Sequence, residues 1–445
     1  MKNPMTTILR LPITNVFAKG DYSVTLHLGS EQSSVNLLLD TGSSTLVVKE
    51  ENYQGKLDKN LTATATVQEV NYGVGGWNGP VIHTSINIHE HCNESDHPQK
   101  ISHTPSINLS NAPVALVTSS KQSKTFGDSD GILGLAYHHL NKGFDFSEYF
   151  TEHNITPPVS YPWPFSGDNG TSQSDDLKSF KKLMWQYPEH DITPYFTLLE
   201  QQQLSTNKFA FYSKRSAIHI NKNNTEQTPA TELTQDPLNQ GLLILGGGEE
   251  QADLYQGDFQ SIKVEHDVYY NVELKSVQVG TSEAITAAPL DEKHQKSYFT
   301  NAIIDTGAGG IVLTAEIYQQ VIHDLSAVNS KFAQLLAPFK EMSAQLTGID
   351  ANELDLSQWP TLYFTFVSEV ATANSPEKTE VLACPPQMYW QINTPNYGKA
   401  CLRLLSQLPQ WPNQSIIGLP LLNNYYVVFD RSAEETGVVK FAKQQ

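Results

Sequence analysis

The chain has 445 residues, 39% of them hydrophobic and 17% charged, with a formal charge of −18. That length supports two or three domains around a large core. The 29 Lys and Arg against 47 Asp and Glu leave no cationic footprint for nucleic acid, and no run of about 18 apolar residues offers a membrane span. The opening segment, MKNPMTTILRLPITNVFAKGDY, has its apolar residues interrupted by Arg10 and Pro12. It lacks the apolar stretch of a signal peptide, so the expected location is cytoplasmic, or secreted if a leader precedes this sequence. Three cysteines, Cys92, Cys384 and Cys401, are a poor disulfide framework, with a Cys384–Cys401 pair left open. Seven N-x-[ST] sequons in an Asn-, Ser- and Thr-rich chain do not establish secretion.

Strand-like runs dominate in chain order. Tyr22–Gly29 alternates apolar and polar residues, SSVNLLLD follows after a turn, and Gly79–His91 alternates again. APVALVTSS, GILGLAY, KFAFYSK, LLILGGG, YYNVELKSVQVG, PTLYFTFV and NYYVVFDR read as further short strands. Helices are few: Ser174–Tyr187 behind a Ser/Asp cap, Thr314–Ala327 behind a Thr cap, and NSKFAQLLAPFKEM broken at Pro338. Two stretches have loop composition and read as surface insertions, Thr156–Asp176 and Ser213–Gln240. The pattern predicts an all-β fold in two lobes, with the boundary near Gln201–Ser205: residues 1–203 and residues 204–445.

An internal repeat supports two lobes. LLLDTGSSTLVV, from Leu37 to Val48, returns as AIIDTGAGGIVL, from Ala302 to Leu313. About a hundred residues after each Asp comes an apolar–apolar–Gly strand, Ile132–Leu133–Gly134 and Ile416–Ile417–Gly418. An acid that ends an apolar run once is usually a turn residue. Two matched copies predict two halves built alike, each delivering one carboxylate.

Asp40 and Asp305 are therefore the candidate catalytic pair. Gly42 and Gly307 permit the tight turns, and Thr41 and Thr306 can bury a methyl while their hydroxyls clamp the opposite loop. Two carboxylates held close share one proton. The ionised member can take a proton from a water, and the protonated member can give one to a peptide carbonyl oxygen. No metal or cofactor is needed. A glycine-rich hairpin over Asn71–Ile82, with Tyr72 and Gly73 at its turn, can cover such a site. His89, His91, Cys92, Asp96 and His97 match no strong zinc spacing and read as a solvated strand end. His138 and His139 read as surface residues.

These motifs, in this order from Asp21 to Phe441, resemble the pepsin-like aspartic proteases, and the short N-terminal segment is similar to the bacterial homologues that lack a prosegment. The resemblance implies a bilobal β-barrel-like fold with an interlobe cleft, a monomer, and an extended peptide substrate with bulky apolar residues at the scissile bond. It implies sensitivity to pepstatin. It makes Asp40 and Asp305 catalytic and Thr41 and Thr306 the clamp. Ser43 bonds Asp40, Tyr72 and Gly73 belong to the flap, and Ile132 lines an apolar pocket or the core. The sequence departs from the family twice. Val47 stands where many members carry a Trp that supports the flap Tyr, with Trp77 a possible substitute. Ala308 stands where many carry Thr or Ser, removing a hydroxyl from the second carboxylate. That loss predicts a pH optimum less acidic than that of stomach pepsin. The rival reading is a catalytically inactive homologue that binds a protein or peptide. A glycosidase with paired carboxylates predicts neither the threonines nor the hairpin.

Overall fold

The computed structural model describes residues 7–71, 75–90, 105–119, 122, 126–165, 177–225, 227–341, 343–369 and 376–445. Strand is the predominant regular structure among the described residues, helices are few, and the chain divides into two compact units. One takes residues 1–11 and 23–207, the other residues 12–22 and 208–445. Pro12–Tyr22 thus belongs with the second unit, although it precedes nearly all of the first.

The first unit is built on a closed six-stranded barrel. Ser33–Asp40 pairs antiparallel with Asp21–Leu28 and parallel with Gly131–Gly134. Gly131–Gly134 pairs antiparallel with Leu46–Lys49, which runs parallel to Ser106–Val117. Ser106–Val117 pairs with Gly76–His89, and that strand closes the ring through His27↔Asn87 and Leu28↔Ile86. Period-two alternation explains the core: Val35, Leu37 and Leu39 are fully buried while Ser34 is exposed. Gly76–His89 also pairs with Thr62–Asn71 in register Asn71↔Gly76, making a hairpin beside the barrel.

The second unit repeats the central strand order. Ala302–Ile304 pairs antiparallel with Asn271–Val272 and parallel with Ser415–Ile417. Ser415–Ile417 pairs antiparallel with Ile311–Leu313, which runs parallel to Leu404–Ser406. Five strands in the first unit and five in the second therefore follow one another with the same directions. A further run of paired strands in this unit carries Lys208–Tyr212 between Gln240–Leu245 and Tyr425–Asp430, with Val438–Gln444 and Tyr255–Lys263 beyond.

Local structure departs from the sequence pattern in several places. Thr314 precedes the helix Ala315–Val328 but makes no side-chain cap bond, whereas the unpredicted cap Asn329 accepts from the Lys331 amide at 3.0 Å. As its sequence leads one to expect, the helix Ser330–Leu336 breaks at Pro338, passing into a 3-10 turn over Ala337–Lys340. The cap proposed at Ser174 lies outside the described residues, and the helix itself is Leu177–Met184. Neither polar insertion is merely surface. Tyr161 and Trp163 are buried, and Trp163 joins Phe146, Phe150, Phe180 and Met184 in an aromatic cluster. In Ser213–Gln240, Ser213, Ser216, Ala217 and Asn239 are buried, and His219 Nδ1 meets Asp236 Oδ2 at 2.7 Å. Cys384 and Cys401 are buried free thiols: Cys384 Sγ faces the Pro420 carbonyl and Cys401 Sγ the Thr394 carbonyl. Cys92 lies outside the described residues.

Candidate active site

Asp40 is the last residue of a strand whose neighbours Leu37 and Leu39 are fully buried, and it is itself 7% exposed. Its Cα partner is Gly134 on the parallel strand. The chain then turns sharply, and the Gly42 amide donates to Asp40 Oδ1 at 2.8 Å while the Ser43 hydroxyl donates to Oδ2 at 2.6 Å. The loop is sewn to the parallel strand by Gly134 N to Thr45 O (3.0 Å), Leu135 N to Asp40 O (2.7 Å) and Ala136 N to Ser43 O (2.8 Å). Thr41 has no exposed surface.

The second turn is constructed the same way. Asp305 follows the buried Ala302, Ile303 and Ile304, and its amide donates to Ile417 O at 3.0 Å. The Gly307 amide donates to Asp305 Oδ1 at 2.8 Å, matching the Gly42–Asp40 bond. Leu419 N donates to Ala308 O at 2.9 Å, and Thr306 has no exposed surface. At the position of Ser43 this turn has Ala308, which has no hydroxyl to give.

Gly134 and Gly418 are required by how closely the two Asp loops cross them. A Cβ on Gly134 would stand 2.5 Å from Ser44 C and Thr45 N. One on Gly418 would stand 2.2 Å from Gly310 O and 2.3 Å from Ala308 O. Any side chain would push the loop, and its carboxylate, away from the supporting strand.

The hairpin residues Tyr72 and Gly73 lie outside the described residues, as do His91, Cys92, Asp96 and His97 and the side chain of His138. His89 and His139 are exposed. Among the described residues no group of three or more His, Cys, Asp or Glu could hold a metal ion. Ile132 is 5% exposed and packs with Val47, Trp77, Val81, Ala115 and Phe126. The fully buried Trp77 therefore fills the same cluster as Val47, the position at which the sequence lacks a Trp.

A buried polar knot with little signal in the sequence lies beside the first turn. Thr45 Oγ1 donates to Asn141 Oδ1 at 2.9 Å, and Gln68 Nε2 donates to Asn141 Oδ1 at 2.6 Å and to Lys142 O at 2.9 Å. Thr45, Gln68 and Asn141 are each at most 5% exposed. The knot ties the strand Thr62–Asn71 to the loop that carries Asp40. Its one sequence signal is Gln68, a polar residue on the face that also carries Val70. A second missed group is Asp58, whose Oδ1 accepts from the Ser30 and Asn60 amides at 2.8 Å and whose Oδ2 accepts from the Tyr53 and Thr84 hydroxyls. Burial works against its charge, but the hydroxyls and then the amides outweigh burial and hold its carboxyl below the ordinary range.

The chain is similar to known proteins. The family model for eukaryotic aspartyl protease matches residues 180–443, which include the second turn and Gly418. A Beta-secretase of Strongylocentrotus purpuratus is 19% identical over 433 residues, a match covering 94% of this chain and 66% of that protein. The chain thus spans just under two thirds of the length of that relative.

Proposed function

This chain belongs to the eukaryotic aspartyl protease family, and from that premise we propose that it is an aspartic endopeptidase using Asp40 and Asp305 as a pair. One carboxyl is ionised and takes a proton from a water. The other is protonated and gives its proton to the carbonyl oxygen of the scissile peptide bond, with no covalent intermediate. Two interacting carboxyls titrate as a unit, and their roles reverse as the tetrahedral adduct collapses.

The observation that carries this reading is the duplicated turn. Each Asp stands at the end of a buried strand, receives the amide of the Gly two residues on, and follows a strand backed by a parallel one that runs into a Gly. An isolated turn aspartate has no reason to be copied together with its backing strand. In this reading Thr41 and Thr306 brace the turns, Gly42 and Gly307 supply the amides, and Ser43 orients Asp40. Tyr72 and Gly73 cover the peptide, and Ile132 contributes to the apolar wall beside the bond cut. The substrate is an unfolded or flexible chain in extended form with bulky apolar residues at the cleavage point, and one protein chain suffices for catalysis.

Cleavage of fluorogenic peptides with apolar residues flanking the scissile bond, measured from about pH 3 to about pH 7, tests this. Pepstatin should block turnover, and Asp40→Asn or Asp305→Asn should each lower kcat/KM by about a thousandfold or more, the scale of lost general acid–base catalysis. Full activity in either variant, or no turnover at any pH, would overturn the proposal.

A further inference from the structure

The strand Thr62–Asn71 has two differently occupied faces. Gln68 and Val70 turn toward the barrel side. Ala65 and Val67 turn toward the aromatic cluster of Phe146, Phe150, Phe180 and Met184, the last two carried by the helix Leu177–Met184. Alternation places Glu69 on that second face, where a strand packed on an apolar cluster calls for an apolar residue. The Glu69 side chain is nevertheless only 4% exposed.

Its Oε2 lies 3.4 Å from Lys181 Nζ on the helix, and Asn71 Nδ2 donates to its Oε1. Lys181 is itself 35% exposed and stands 5.6 Å from the ring centre of Trp185, so the cation has a second resting place. Asn78, opposite Glu69 on the paired strand, is uncharged. On the next strand Lys142 is engaged by Asp191 and Glu189, and Asp145 stands opposite Thr66. Lys178 and Lys182 share the helix but are exposed. One half-solvated ammonium offsets the desolvation of a buried carboxylate only in part. Burial accordingly pushes the Glu69 carboxyl up, with Lys181 and then Asn71 pulling it back less strongly.

We propose that Glu69 couples the docking of the strand Thr62–Asn71 onto the helix Leu177–Met184 to proton uptake, so that acid tightens this contact and neutral pH loosens it. When strand and helix part, Glu69 enters water and ionises readily; when they dock, ionisation is resisted. Docking is therefore strongest in acid, weakens as pH rises from about 4, the ordinary glutamate range, through the higher value of the docked carboxyl, and then levels off. Glu69 is a positioning residue. Its effect on docking stands by itself, while any effect on peptide binding rests on the function proposed above.

Hydrogen exchange of the amides of the helix Leu177–Met184, which is too short to hold without the strand it packs on, corrected for intrinsic rates from about pH 4 to about pH 8, reads the docking. The Asp40→Asn background removes self-cleavage. Protection should fall with rising pH by up to about tenfold per pH unit, the limit for one proton. Glu69→Gln should hold the acid level of protection at every pH. Lys181→Met should leave the onset near pH 4, extend the fall to higher pH and deepen it. A Glu69→Gln chain that keeps the original pH dependence, or protection that rises with pH, overturns the proposal. With Asp40 intact, KM for a peptide should rise with pH in the parent and stay flat in Glu69→Gln, with kcat following one profile in both. Identical KM profiles would refute the positioning role. Absence of turnover in every chain would count against the protease reading and leave the exchange result decisive for docking.

Discussion

Gly134 and Gly418 show how much a single missing methyl controls. Each lies where an Asp-bearing loop crosses a supporting strand at a distance no Cβ tolerates. Gly134→Ala and Gly418→Ala should each lower stability by about 1–3 kcal/mol, the usual scale of forced overpacking. Peptidase activity should fall by a larger factor, because the displaced loop carries the carboxylate. Thermal unfolding and kcat/KM on the same preparations separate the two effects, and a variant that loses stability without losing turnover would contradict the assignment. The unequal turns offer a second residue-scale test. Ser43 gives Asp40 Oδ2 a hydroxyl, while Ala308 has none to give. A hydroxyl donated to a carboxylate favours its charged form. Ala308→Ser should therefore move the pH–rate profile toward acid, and Ser43→Ala should move it toward neutral; no movement in either would show that these hydroxyls do not tune the pair. The Asp-Thr-Gly strings and the Ile-x-Gly strands were legible because each is a local pattern with a local cause. Glu69 was not: a Glu in an alternating strand reads as solvent-facing until the helix that covers it is known.

Among elements, the pairing of Lys208–Tyr212, Tyr425–Asp430 and Val438–Gln444 gathers four charges on one sheet face. Lys208 Nζ lies 2.8 Å from Glu249 Oε2 and 3.1 Å from Asp430 Oδ2, and Lys440 Nζ lies 2.6 Å from Glu249 Oε1 and 2.9 Å from Asp430 Oδ2. Burial would raise the Asp430 carboxyl, but the Ser432 hydroxyl, Lys440 and Lys208 outweigh it and hold it at about 2. A depressed carboxyl stabilises the fold above its unfolded value near 4, and that stabilisation is lost as pH falls from about 4 through about 2. The contribution at neutral pH is about 2 kcal/mol. Asp430→Asn should lose this stability at pH 7 and unfold with a weaker acid dependence between about pH 4 and about pH 2, as denaturant titrations at several pH values will show. An unchanged acid dependence would refute the role given to Asp430. The aromatic cluster around Trp163 is an element-scale contact that composition concealed. Thr156–Asp176 is rich in Pro, Gly and Ser, but composition averages away its few anchors, and the partners Phe146 and Phe180 sit on other elements. Such a segment docks through two or three large rings and remains polar elsewhere.

For the whole molecule, the two units were legible in the sequence as a repeat. The repeated strand order in the two units follows from the duplicated strings and their Gly strands. The return of Pro12–Tyr22 to the second unit did not, since nothing in its composition names a partner some two hundred residues away. Its contacts are specific. Tyr22 has no exposed surface, meets Phe211 edge-on at 5.6 Å, and its hydroxyl accepts from the amides of Lys214 at 3.0 Å and Arg215 at 3.2 Å. Asn15 Nδ2 donates to Ala217 O at 3.1 Å. A fragment of residues 208–445 lacks all of these, so it should express as an unfolded or aggregating chain, and co-expression with residues 1–207 should restore a soluble complex. A fragment that folds cooperatively alone, judged by a sigmoidal denaturant transition, would show that Pro12–Tyr22 is dispensable.

The hairpin strand Thr62–Asn71 also limits insertions and deletions. Its pairing with Gly76–His89 already slips between Ala63 and Val67 and is regular from Val67 onward. A residue gained or lost within the slip can be absorbed there. The same change after Val67 exchanges the two faces, setting a carboxylate against Thr45 and Asn141 and an amide against the phenyl rings. Homologous chains should therefore vary in length before that point and keep a constant count after it.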